Sequence, residues 1–202
     1  GAAISVKQIN DETMHMLELA YENVNQAFGQ LLQFSDKIDE QIYKREDTVN
    51  YLDKVISEYI STALATPNLN VNISQALSSY YLMLVDIERI SDYAVNMNHQ
   101  ATKRLQGDMT ISEIEIVEHM KKLCVDMKND LSDVEEAERK DDVIDSLVSS
   151  WREAQIQALK QQKCSSEVSM MLSRIFTDFE RINDHALNVS QEFDKINIEI
   201  PE

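Results

Sequence analysis

The chain has 202 residues, a formal net charge of -17, only 3 Gly and 2 Pro, and many residues that favour helices. This composition predicts an all-α protein, and the negative charge argues against nucleic acid, anionic lipid surfaces and free phosphate as ligands. Because the chain has no run of 18 apolar residues and no signal-peptide pattern, we expect these residues neither to span a membrane nor to direct export.

The first half of the chain shows the apolar spacing of three long helices. Apolar residues at steps of three and four predict helices over 10–32, 36–64 and 73–105, and Gly107 ends the third. We therefore predict a first three-helix bundle over residues 1–107.

The second half repeats this organisation. Capping boxes that begin at Thr110 and Ser132 start two helices, and a polar break near 163–166 precedes the last one. Short connections make consecutive helices antiparallel neighbours. The predicted fold is therefore two antiparallel three-helix bundles side by side, six helices in all, with the second bundle over 108–202.

An eleven-residue phrase occurs twice, at 86–96 and 178–188, near the end of each half. In the first copy the apolar stripe that includes Tyr81 and Leu84 predicts that the acidic side of the helix is buried. Each copy places a Glu and an Asp four residues apart on that side: Glu88 with Asp92, and Glu180 with Asp184. Buried carboxylates need a partner, and that partner is the functional question.

The second helix of each half supplies further polar groups at the same spacing. Clustered carboxylates repel one another unless they are protonated or neutralised, and a bound cation would neutralise them. Oxygen ligands suit magnesium, calcium, manganese or iron rather than zinc. Asn50 stands where a fourth acid would complete the first half, so we expect metal to favour the second half. The candidate ligands are Glu46, Glu88 and Asp92 in the first half, and Asp141, Asp145, Glu180 and Asp184 in the second.

Ion pairing is the alternative to metal. Each phrase contains an arginine, Arg89 or Arg181, whose guanidinium group could satisfy the acids in bidentate pairs. His185 follows Asp184 and is a candidate for a residue that orients a metal ligand without binding the metal itself. The residues alone leave both interpretations open.

Catalysis has no support in the sequence. The chain has no Gly-rich phosphate loop, no Ser-His-Asp order and no reactive-cysteine context, so we expect a non-enzymatic protein. A metal-storage or redox bundle with two irons would need two Glu-x-x-His motifs, and only Glu12-x-x-His15 fits. That third class is therefore disfavoured.

The repeated phrase, Asp-x-Glu-Arg-Ile-x-Asp-x-Ala-x-Asn, resembles the signature of the PhoU family of phosphate-transport regulators. The resemblance covers nearly the whole chain and implies two three-helix bundles. It also implies that Glu/Asp-x-x-x-Asp pairs hold metal clusters on the bundle surface. The candidate acids match this pattern, and Asn50 departs from it at the second ligand of its pair.

The stretch 9–28, with its Met-His-Met-Leu-Glu-Leu-Ala run, is similar to the cytoplasmic PhoU-like tail of bacterial sodium/phosphate cotransporters. Free-standing members usually carry Gly before the second Asp of the phrase, where this chain has Ser91 and Asn183. The resemblance implies a cytoplasmic regulatory domain at the inner face of the cell membrane, with a membrane transporter domain in the same chain or as a partner. The alternative is a free-standing adaptor that docks a phosphate transporter ATPase or a sensor kinase. A homo-oligomer is compatible with either.

Overall fold

The structure is a computed structural model that describes residues 2–101 and 103–196, and the side chains of 6–101 and 105–196. All regular structure in these residues is helical, which confirms the all-α prediction. The helices are α1 (Ala2–Leu32), α2 (Asp36–Leu64), α3 (Val71–Gln100), α4 (Lys103–Asp108), α5 (Ile111–Asn129), α6 (Val134–Lys160) and α7 (Ser166–Asp194). Within the described ranges, none of them combines the length and apolarity needed to cross a membrane.

Two predicted helix boundaries were wrong. The third helix ends at Gln100, because Ala101 adopts an extended conformation, and the short α4 follows with Gly107 inside it. The described chain therefore has seven helices rather than six. The first helix begins at Ala2, since the apolar stripe continues through Val6 and Ile9, which are both buried.

The helix starts follow capping chemistry closely. The predicted capping box at Thr110 is confirmed, with Thr110 and Glu113 satisfying each other's backbone N–H groups. The start of α6 was predicted one residue too early, at Ser132. The cap of α6 is Asp133, whose carboxylate accepts from the backbone N–H of Glu136.

The two halves pack side by side around a continuous core. Helices α1, α2 and α3 pack together, as do α5, α6 and α7, and the halves meet where α3 packs against α7 and α1 against α5. At this junction Phe28 and Phe179 meet edge to face, with ring centroids 6.3 Å apart. The division into 1–107 and 108–202 stays a prediction, and residues 1, 102 and 197–202 lie outside the described residues.

Candidate functional site

The acidic pairs of the repeated phrase lie at the margin of the core. In α3 the buried positions around the acids are Ile87, Ile90, Ser91 and Ala94. Glu88 and Asp92 lie beside this buried face and are only partly buried. The acidic side, which was expected to be buried, is therefore buried only in part: Glu180 is also partly buried, and Asp184 is exposed. Tyr81, which was placed on the buried stripe, is 44% exposed.

The second half gathers three aspartates on its surface. Asp141 and Asp145 from α6 and Asp184 from α7 each offer a carboxylate oxygen, and these oxygens all lie within 4.8 Å of one another. Asp141 is partly buried, and its Oδ1 atom is buried without a hydrogen-bond partner in the described structure. A hard cation fits this aspartate trio, because it would supply the missing partner and neutralise three like charges.

Burial and mutual repulsion work together in the aspartate trio. Burial, followed by the negative charges of Asp145 and Asp184, raises the pKa of Asp141 to about 7. Burial and the charge of Asp184 also raise the pKa of Asp145. Without a cation, Asp141 therefore keeps its proton to a higher pH than an ordinary aspartate does.

Glu180, the fourth candidate ligand of this half, lies outside the trio. A guanidinium nitrogen of Arg152 on α6 lies 3.6 Å from a Glu180 carboxylate oxygen. Burial raises the pKa of Glu180, and the neighbouring Arg152 charge opposes that shift.

The first half pairs its acids differently. The hydroxyl of Ser91, which is fully buried, donates a hydrogen bond to Glu46 and accepts one from the Asn23 amide at 3.1 Å. Burial is the main reason that the pKa of Glu46 rises to about 7, with the Ser91 hydrogen bond opposing the shift and Asp92 reinforcing it. Burial, Asp92 and Asp53 likewise raise the pKa of Glu88.

The described residues of the first half do not bring three carboxylates together as the aspartate trio does. Asn50 is exposed on α2 at the position where the second half has Asp145. Asp53, one turn further along α2, was not singled out from the sequence, although it is an acid on the second helix like the candidates beside it.

One charged residue from each copy of the phrase, Asp86 and His185, pairs across the junction between the halves. The imidazole of His185 lies 2.8 Å from Asp86 in the other copy, the Asn188 amide donates to the same carboxylate oxygen at 3.1 Å, and Tyr93 stacks on the imidazole. His185 thus pairs across the α3–α7 contact, which differs from the support of a metal ligand that the sequence suggested. Arg89 and Arg181, the arginines proposed for ion pairing, are both exposed.

Arg152 is the residue of this region that the sequence reasoning missed. It stands 7 residues after Asp145 and 11 after Asp141, a spacing that puts all three on one face of α6. The helical spacing therefore contained the signal, although the pairing with Glu180 arises only from the packing of α6 on α7.

Known proteins resemble this chain over most of its length. The PhoU domain model matches residues 13–101 and 111–193. The phosphate-specific transport system accessory protein PhoU homolog 1 of Thermotoga maritima is 24% identical over 196 residues, which cover 91% of this chain and 83% of that protein.

Two crystal structures share the fold, each at 18% identity. PhoU from Pseudomonas aeruginosa aligns with a TM-score of 0.85 over 96% of this chain and 97% of that one. The phosphate transport system regulatory protein PhoU from Streptococcus pneumoniae aligns with a TM-score of 0.83 over 100% of both chains. Since each matched segment of the domain model contains one copy of the acidic phrase and the two together span most of the chain, the protein belongs to the PhoU domain family.

Proposed function

We propose that this protein is a PhoU-type regulator of phosphate transport that acts by contact with a membrane phosphate transport system. The observation that carries the proposal is the match of the PhoU domain to both halves of the chain. The names of the related proteins, an accessory protein and a regulatory protein of phosphate transport systems, point to the same role. The regulator would work in the cytoplasm, at the inner face of the cell membrane.

Regulation without catalysis is consistent with the family. PhoU proteins are regulators rather than enzymes, and the assignment confirms the expectation of a non-enzymatic protein. The acidic clusters and the net charge of -17 oppose a phosphate anion, so the signal is more naturally carried by protein contacts than by bound phosphate.

The comparisons favour a free-standing accessory protein over a domain of a sodium/phosphate cotransporter. The Thermotoga maritima relative is named as an accessory protein of a phosphate transport system, and the Streptococcus pneumoniae structure is named as a regulatory protein of one. The cotransporter interpretation rests on the stretch 9–28 and on Ser91 and Asn183, which replace the usual Gly. In the structure both replacements are buried, and Ser91 donates to Glu46 while Asn183 donates to the Phe179 carbonyl oxygen. The full reading frame distinguishes the two, because membrane helices encoded directly upstream would support the cotransporter.

Cross-linking in living cells tests the proposed partner. A photoreactive amino acid at the exposed positions Tyr51 and Met170, one in each half, would capture proteins that contact either bundle. We expect a subunit of a phosphate transporter or its sensor kinase in the light-dependent products. Light-dependent capture that contains no component of phosphate transport at either position would contradict the proposal.

We also propose that the aspartate trio binds a hard divalent cation. The unpartnered Asp141 oxygen and the convergence of three carboxylates support this proposal. Such a cation would join α6 to α7 and remove the repulsion between their acids. Titration of the chelated protein with Mn²⁺, followed by elemental analysis, tests it. Retention of metal by the wild type and loss in Asp184→Asn supports the site, whereas no metal in the wild type refutes it.

A further inference from the structure

We propose that Arg152 holds Glu180 away from the aspartate trio and thereby limits the second half to three carboxylates for a cation. Arg152 would act as a positioning residue, since it affects the cation through Glu180 rather than by touching it. This inference rests on the proposed metal binding, and it goes beyond that proposal by naming the residue that sets the strength of the site.

The contacts of Arg152 fix its guanidinium group in one place. One nitrogen donates to the carbonyl and hydroxyl oxygens of Ser173, at 3.3 and 3.2 Å, and the other donates to the Thr177 hydroxyl at 2.9 Å. The group also lies 5.4 Å from the centre of the Phe176 ring. These contacts with α7 do not involve Glu180. They therefore orient the guanidinium group of Arg152 independently of its ion pair with the Glu180 carboxylate.

Glu180 would otherwise be the fourth acid of the cluster. It lies one helical turn before Asp184 on α7, and the charges of Asp145 and Asp184 both act on its carboxyl group. Its ion pair with Arg152 is only partly accessible to solvent, with side-chain exposures of 34% for Arg152 and 32% for Glu180. A cation that recruited Glu180 would have to break this pair and approach a fixed positive charge.

The first half offers an internal comparison. Ser57 stands 95 residues before Arg152, the same separation as between Asn50 and Asp145. The first half therefore lacks an acid at one ligand position and the arginine at another, while the second half has both. The presence of both Asp145 and Arg152 in the second half is expected if the arginine compensates for the charge of the additional acid.

Mn²⁺ titration of four proteins tests the role of Arg152, with free Mn²⁺ measured by electron paramagnetic resonance. The proteins are the wild type, Arg152→Gln, Glu180→Gln and the double variant. Removing the positive charge and releasing a carboxylate ligand should tighten Mn²⁺ binding about tenfold in Arg152→Gln. In the double variant most of this gain should disappear, because glutamine in place of Glu180 offers no anionic ligand. Glu180→Gln alone should change the affinity less than about twofold.

Arg139→Gln is the matched control, since Arg139 lies on the same helix and pairs with Glu136 on the exposed surface. It should leave Mn²⁺ affinity unchanged. Arg152→Lys keeps the charge without the planar fork and should give a smaller gain than Arg152→Gln, which also covers the case that the glutamine variant does not fold.

The possible results separate the inference from the metal proposal. Equal affinity of the wild type and Arg152→Gln would overturn the role of Arg152 and leave the metal site standing. An equal gain with and without Glu180 would show a pure charge effect and would also overturn it. Binding by Arg152→Gln but not by the wild type would refute the metal site of the wild type while supporting the effect of Arg152 on Glu180. No binding by any of the proteins would refute both proposals.

Discussion

Neutralising Asp141 should stabilise the metal-free protein at neutral pH. The carboxyl group ionises in the unfolded chain with its ordinary pKa of 3.8, whereas burial and the neighbouring aspartates raise the pKa to about 7 in the folded protein. The folded state therefore holds a proton that the unfolded state releases. The resulting stability is fully present below pH 3.8 and is lost as the pH rises through 7. Asp141→Asn removes this pH dependence. The free energy of unfolding of the variant, relative to that of the wild type, should therefore increase as the pH rises from 3.8 to 7.

The size of the effect follows from the displacement of the pKa. Raising it from 3.8 to about 7 corresponds to roughly 4 kcal/mol at 1.36 kcal/mol per pH unit. Asp141 is only partly buried, and solvent screens the charges of the aspartate trio, so we expect about 1–2 kcal/mol at pH 7.5. For a chain of this length that gain raises the melting temperature by about 2–8 °C.

Urea unfolding followed by circular dichroism, with a chelator present, measures this gain at pH 7.5 and pH 4.5. Asp142→Asn is the control, because it removes the same charge from an exposed neighbour outside the aspartate trio. Its effect should stay within about 0.5 kcal/mol. The reasoning is refuted if Asp141→Asn is no more stable than Asp142→Asn at pH 7.5, or if its gain is as large at pH 4.5. Added Mn²⁺ should reverse the order, because the variant has lost a ligand.

Three further outcomes follow from the structure. Asp184→Asn should lower bound metal and metal-dependent thermal stability more than Asp92→Asn does, as elemental analysis and melting curves would show; equal losses would contradict the preference for the second half. Gln162→Gly should raise the free energy of unfolding by about 0.5–1 kcal/mol, because Gln162 has φ 56° in the turn that ends α6, and unchanged urea midpoints would contradict this. Calorimetry of the metal-free protein with inorganic phosphate should show no micromolar binding, and such binding would contradict the electrostatic argument.

Local patterns predicted most of the fold. The apolar spacing and its interruptions placed α2 at 36–64, in agreement with the structure, and the Thr110 capping box marked the start of α5. The break at Ala101 was missed because nothing in its neighbours interrupts the helical spacing. The error at Tyr81 has a related cause: a shift of one residue turns a side chain by about 100°, so that Tyr80 is buried and Tyr81 is exposed.

The candidate site was only partly predictable, because its contacts join different helices. Asp141, Asp145 and Asp184 were all named from their spacing, and the structure brings them together. The pairing of Glu180 with Arg152 and that of His185 with Asp86 depend on how α7 sits against α6 and α3. Spacing along one helix does not show how that helix is rotated against its neighbours. The sequence therefore allowed the same acids to be interpreted as a metal site or as an ion-pair network.

The most direct test of the proposed function is phosphate uptake in the source organism with and without this protein. Cells in excess phosphate would be supplied with radioactive phosphate, and their initial uptake rates compared with those of cells that regain the intact gene. If the protein regulates transport, its loss should change the uptake rate, and the intact gene should restore it. An uptake rate that is the same with and without the protein, in both scarce and excess phosphate, would contradict the account.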